Sequence, residues 1–186
     1  MALWIVLAVL IILGIWLMTS YNGLVSLKNQ ALNGWKQIDV QLKRRHDLIP
    51  NLVETVKGAM KFEQTTLTQV IEARNRAIAA QGIAEKAAEE NVLSGALRQL
   101  FALVENYPNL KSNENVSKLQ EELVSTENRI GFARQFYNDI ATKFNIAQQV
   151  FPTNIIVGMF GFKPAELFEV SDASERETPK VDLNLK

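Results

Sequence analysis

The chain of 186 residues contains no cysteine. That absence removes disulfides, thiolate metal sites and a cysteine nucleophile. Histidine is almost as scarce, because His46 stands alone. A histidine-rich metal site is excluded, and so is a carboxylate-bridged di-iron bundle, which needs two Glu-x-x-His pairs; residue 43 is a lysine. There is no Gly-x-Ser-x-Gly nucleophile elbow and no phosphate-binding glycine loop. Neither sign of charge is in excess, with 20 basic and 20 acidic residues. Basic residues form no clustered footprint, so no nucleic acid is expected as a partner. No cofactor or metal is expected either. No long segment alternates polar and apolar residues with period two, which argues against a sheet.

Charge is also missing from the start of the chain. Ala2 to Met18 carries none. At about 1.5 Å per residue the run reaches roughly 26 Å, near the lower limit for a bilayer core. Trp4, Trp16 and Tyr21 stand where interfacial aromatics belong. The alternative is a cleaved secretory signal. No Lys or Arg precedes the run, and Leu17-Met18-Thr19-Ser20 is a poor small-residue cleavage site, so the run reads as an anchor. Lys28 and Lys36 lie just beyond it, and the positive-inside rule then places the remainder in the cytoplasm, with the periplasmic side as the alternative.

Beyond the anchor the pattern is helical throughout. Leu24, Leu27, Ala31, Trp35, Ile38 and Leu42 step by three or four, which predicts one rod from the anchor to about Leu48. Pro50 predicts a break. A second helix is expected over roughly 50–80, a third over 84–106 and a fourth over 113–150. The last carries an unbroken seam of alternating steps from Val116 through Leu123, Ile130, Tyr137 and Phe144 to Phe151, the packing stripe of a bundle or coiled coil. The expected fold is therefore all-α: an N-terminal transmembrane helix continuous with an antiparallel four-helix bundle. Residues 1–20 form the anchor, 21–152 the bundle, and 153–186 an apolar membrane-proximal segment with a polar tail. In that segment Ile155, Ile156, Met159, Phe160 and Phe162 either touch the bilayer interface or fold under the bundle as a plug.

Gln37 to Lys57 resembles the LemA family of bacterial membrane proteins. The likeness continues at Glu105 to Lys111, Glu127 to Ile130, Ala133-Arg134, Tyr137-Asn138, Phe151-Pro152 and Gly161-Phe162. Ser112 stands where an alanine is usual, and Val116 where an aromatic is common. The resemblance implies a short outside N-terminus, one span and an antiparallel four-helix domain in the bacterial inner membrane. It implies no enzymatic activity. One member is magnetosome-associated, which implies a part in membrane shape or organisation.

Two groups of polar residues are candidates. Arg44, Arg45 and Asp47 flank the expected break at Pro50. They either contact a partner or neighbouring subunit, or terminate helices, with Asp47 capping the second helix. Arg74, Glu105, Glu127, Asn128, Arg134 and Asn138 are expected to form a half-buried polar network around the fourth-helix seam that fixes helix register. His46 reads as a surface or capping residue. The function expected from all this is a non-catalytic, membrane-anchored scaffold that self-assembles into a high-order homo-oligomer. Its partners are lipids and copies of itself; the alternative is an adaptor for another membrane protein such as a protease.

Overall fold

A computed structural model of the protein describes residues 1–60 and 63–169; the polar tail beyond lies outside the described residues. Among these, every regular element is helical: α1 (Ala2–Lys57), α2 (Gln64–Ala79), α3 (Ile83–Val104), α4 (Pro108–Lys111), α5 (Glu114–Gln149) and α6 (Thr153–Phe160). No strand occurs in them.

The apolar run and the rod are one helix. α1 passes through Pro50 and ends only at Lys57, so the expected break is corrected. A proline inside a helix normally costs about 3 kcal/mol or more, partly because the carbonyl four residues back loses its donor. Here that carbonyl belongs to His46, and the Arg74 Nε–H of α2 donates to it at 2.7 Å. A side chain replaces the missing backbone donor. The apolar stripe therefore continues through Leu42, Ile49, Leu52, Val53 and Val56, all buried. The second helix consequently starts at Gln64, not near Pro50.

α5 begins where its sequence provides a cap. The Asn113 Oδ1 accepts from the backbone N–H groups of Asn115 at 2.9 Å and Val116 at 3.3 Å. It then runs antiparallel to α1 along the whole rod. Gly34 marks the closest approach: a Cβ there would lie 3.3 Å from the Tyr137 Cα. The seam residues Val116, Leu123, Thr126, Ile130, Tyr137, Ile140 and Phe144 are buried as the periodicity predicts, while Phe151, just beyond the helix, is exposed.

α2 and α3 form a hairpin that covers only the distal part of this pair. With Ile49 to Val56 of α1, Met60, Leu110 and the start of α5 they enclose the largest apolar core. The turn end of the hairpin packs at Ile83 and Ala87 into a second cluster with Ala31, Ile38 and Phe168. Lys86, in the first turn of α3, pairs with Asp39 at 3.0 Å. By helical rise that level is well over 20 Å beyond Tyr21. Nearer the anchor, α1 and α5 are closed by other means: α6 and the extended segment after it.

Candidate functional site

All four long helices contribute polar groups at one level of the rod. Arg45 and His46 face inward from α1, Glu90 and Ser94 from α3 and Arg74 from α2, while the exposed Glu127 reaches the group from the surface of α5. Arg45 stands on the apolar stripe of α1 between Leu42 and Ile49, and only 1 % of it is exposed. Its guanidinium bridges two carboxylates, those of Glu90 and Glu127. The nitrogen facing Glu127 also donates to the Ser94 hydroxyl at 3.0 Å, and that hydroxyl lies 3.1 Å from the other Glu127 oxygen.

Glu90 is the buried acid of the group. One oxygen accepts from Arg45; the other lies 2.7 Å from His46 Nε2. A carboxylate can only accept, so Nε2 carries the proton. Burial alone would push the Glu90 carboxyl up. The His46 hydrogen bond and the charges of Arg45 and His46 outweigh it and hold the group below its ordinary value. Both carboxylates are thus occupied in ion pairs, and the cluster acts as a cross-tie joining the four helices at one fixed register. Among the described residues no group of three or more His, Asp or Glu is placed to hold a metal ion.

The candidates named from sequence separate accordingly. Arg45 and Glu127 meet in the cross-tie. Arg44 pairs with Glu122 on the surface at 2.9 Å. Asp47 is exposed inside α1, so it caps no helix, and none of the three lies at a tip. Arg74 joins α1 rather than the α5 seam. Glu105 sits in the turn after α3 and pairs with Lys111, far from α5's register contacts. Asn128 is exposed. Arg134 is half-buried and forms no ion pair among the described residues. Asn138 belongs to a different device altogether.

That device holds the segment after α6. The Asn145 side chain accepts from the Ala165 N–H and donates to its C=O, both at 2.8 Å. Asn138 does the same to Phe168, at 2.9 and 3.0 Å. Seven helical residues rise about 10.5 Å, and three extended residues about 10 Å, so the two amides match the repeat of the extended segment. Between them the Tyr137 hydroxyl donates to the Glu166 carbonyl at 2.6 Å. Burial, with the Glu166 carboxylate near, pushes that hydroxyl's pKa up and keeps it a donor. Phe168 is buried against Trp35, 5.9 Å between ring centroids.

Sequence reasoning missed Glu90, Ser94 and the inward placement of His46. The signal was present: Glu90 falls on the α3 stripe of Ala87, Leu93 and Leu97, as Arg45 does on α1. Opposite charges interrupting two apolar stripes are the mark of a buried pair. Asn138 and Asn145, one heptad apart beside the α5 seam, were the corresponding signal for the clamped segment.

The sequence profile of the LemA family matches residues 34–183, most of the chain and all of the cross-tie. The chain belongs to the LemA family. Among curated relatives it is 26% identical to magnetosome protein MamQ 2 of Paramagnetospirillum magneticum, over 91% of this chain and 71% of that protein. It is 24% identical to magnetosome protein MamQ of Magnetospirillum gryphiswaldense, over 89% and 71%. Protein LemA of Metamycoplasma hominis is 26% identical, over 88% and 74%. The start of α1 is the one stretch among the described residues long and apolar enough to cross a membrane, and with the magnetosome relatives it fits a membrane location.

Proposed function

We propose that this LemA-family protein is a non-catalytic, single-span scaffold that self-assembles in the membrane plane and organises the bilayer around it. The observation that carries the reading is the continuity of α1. One helix runs from the apolar anchor to the distal end of the bundle, so the placement of one span sets the placement of the whole rod. The kinship with magnetosome proteins supports a role at a membrane. Lys28 and Lys36, just past the span, favour a cytoplasmic rod.

The surface available for assembly is the face of α1 and α5 that the α2–α3 hairpin leaves bare. Val40, Phe132 and Phe136 line a shallow groove of about 570 Å³ there, flanked by Lys36 and Arg129. Phe132 is 73% exposed. The same groove would suit an adaptor docking on another membrane protein. The two readings part on size in mild detergent. A scaffold forms a discrete high-order homo-oligomer from full-length protein, and a much smaller species, still helical by circular dichroism, when residues 1–20 are removed. Monomeric full-length protein in several mild detergents and in lipid nanodiscs would overturn the scaffold in favour of the adaptor. Tethering in a plane raises effective concentration, which is why the anchor matters to the outcome.

A further inference from the structure

We propose that α6 and the turn before it form a second membrane contact, seated in the bilayer interface beside the span, with Phe151, Ile155, Met159 and Phe160 facing lipid. The inference rests on the membrane reading of α1. It begins with charge. Between Lys143 and Lys163 the chain carries none, the second such stretch after the anchor. A charge-free run in a small helical domain usually signals core. Here only part of it is core. Ile156 is wholly buried with Leu24 and Phe144, and Val157 and Phe162 pack partly against them. The opposite face is open: Phe151 is 80% exposed, Met159 65%, and Ile155 and Phe160 about half. Of the residues expected to touch the interface or to plug the bundle, Ile156 and Phe162 plug; Ile155, Met159 and Phe160 point out.

Position supplies the occupant. The Phe160 ring lies 4.7 Å from Tyr21 and the Phe162 ring 5.9 Å from it. Trp16 packs on the same cluster. α6 therefore sits at the level where the apolar run ends, in the few ångströms between hydrocarbon and water. The end of α5 reaches the same level. Phe144 packs with Leu24, and Gln149 lies roughly 7 Å further toward the anchor by helical rise, with Phe151 beyond it. The open face continues the surface of the span itself, which identifies lipid as its cover. Lys143 and Lys163 are exposed at its edges, where their ammonium groups reach the headgroup phosphates while their stems lie along apolar surface. Two contacts, span and α6, fix the rotation of the rod about its own axis, which one span alone leaves free.

The absence of cysteine makes the test direct. Full-length protein carrying Met159→Cys, or Ile155→Cys in parallel, is labelled with an environment-sensitive fluorophore and placed in phosphatidylcholine–phosphatidylglycerol nanodiscs. Leu10→Cys reports the span and Gln69→Cys the distal α2 surface. Nitroxide lipids labelled near the headgroup should quench positions 159 and 155, and lipids labelled deep in the acyl chain should quench position 10, each several-fold more than position 69, with blue-shifted emission and unchanged helicity. Quenching at position 10 with none at 159 and 155 would overturn this inference and leave the membrane reading standing. Probe-to-probe proximity at 159 without lipid quenching would assign the face to a second copy and overturn it too. No quenching at position 10 would overturn both.

Discussion

The rod closes the same α1–α5 seam in two ways. In its distal half a helical hairpin supplies large apolar side chains and a buried ion cluster. In its proximal half only the turn end of the hairpin reaches in, at Ile83 and Ala87, and an extended segment held by its backbone takes most of that place. The difference lies in what is read. The distal closure depends on particular side chains, because neither Arg45 nor Glu90 can be replaced alone without leaving a buried charge short of its partner. The proximal closure depends mainly on two asparagines, a tyrosine and Phe168, and asks little of residues 166 and 167. Mutations should accordingly be severe in the first region and graded in the second.

The largest effect is expected at Arg45. Arg45→Met leaves Glu90 buried with only His46 to offset its charge, and removing one member of a buried pair costs about 3–5 kcal/mol. Urea denaturation of full-length protein in mild detergent, followed by circular dichroism, measures it. The double variant Arg45→Met/Glu90→Met should recover much of the loss, since apolar replacement of a whole pair is often neutral. An additive double variant would mean that the two groups do not interact.

Acid should act on the same region. Glu90 is held below the carboxylate's ordinary 4.5 in the folded protein. The folded state thus binds its proton less readily than the unfolded chain does. The stability this contributes is complete above the ordinary value and disappears as pH falls through the folded one. The urea midpoint should drop with acidification, and Glu90→Gln should flatten that part of the profile. An unchanged slope in Glu90→Gln would place the acid sensitivity elsewhere.

Arg74 comes next. Arg74→Met strips the His46 carbonyl of its donor, at about 1–3 kcal/mol for a buried unsatisfied group. Because Pro50 created the vacancy, Pro50→Ala should restore a backbone donor and make Arg74→Met nearly harmless. Equal losses in the two backgrounds would show that Arg74 acts through something other than this carbonyl.

These residues also show what the sequence could reveal. The all-α class, the apolar start and the α5 seam emerge from periodicity, which samples many positions at once. The helix through Pro50 was illegible because its rescue comes from Arg74, a residue distant in sequence. The cross-tie was half legible: Arg45 and Glu127 stood out, but Glu90 was hidden in a helix read for its apolar residues. The clamped segment left its signal only on α5, in Asn138 and Asn145, since hydrogen bonds to backbone leave little trace in the sequence that receives them.

In the proximal region, Asn138→Ala and Asn145→Ala should each cost about 1–2 kcal/mol, two hydrogen bonds apiece. The loss should be local. Amide exchange at Ala165 and Phe168 should quicken while the α2–α3 hairpin keeps its protection. Equal loosening of the hairpin would mean that the two closures form one cooperative unit and that the regional contrast fails.

The smallest effect is expected at Arg134, where sequence reasoning expected a member of the polar network. It lies on α5 between the two regions, half-buried, without an ion pair among the described residues. Three carboxylates on the neighbouring helix faces are engaged elsewhere: Glu127 and Glu90 with Arg45, Glu122 with Arg44. Arg134→Met keeps most of the side-chain stem, and with it the packing that a half-buried arginine supplies. The change in stability should stay within about 0.5 kcal/mol, the range of ordinary surface substitutions. A loss several times larger, in the same urea titration, would show that Arg134 holds a buried partner and that the polar network extends along α5 past the cross-tie into the proximal half.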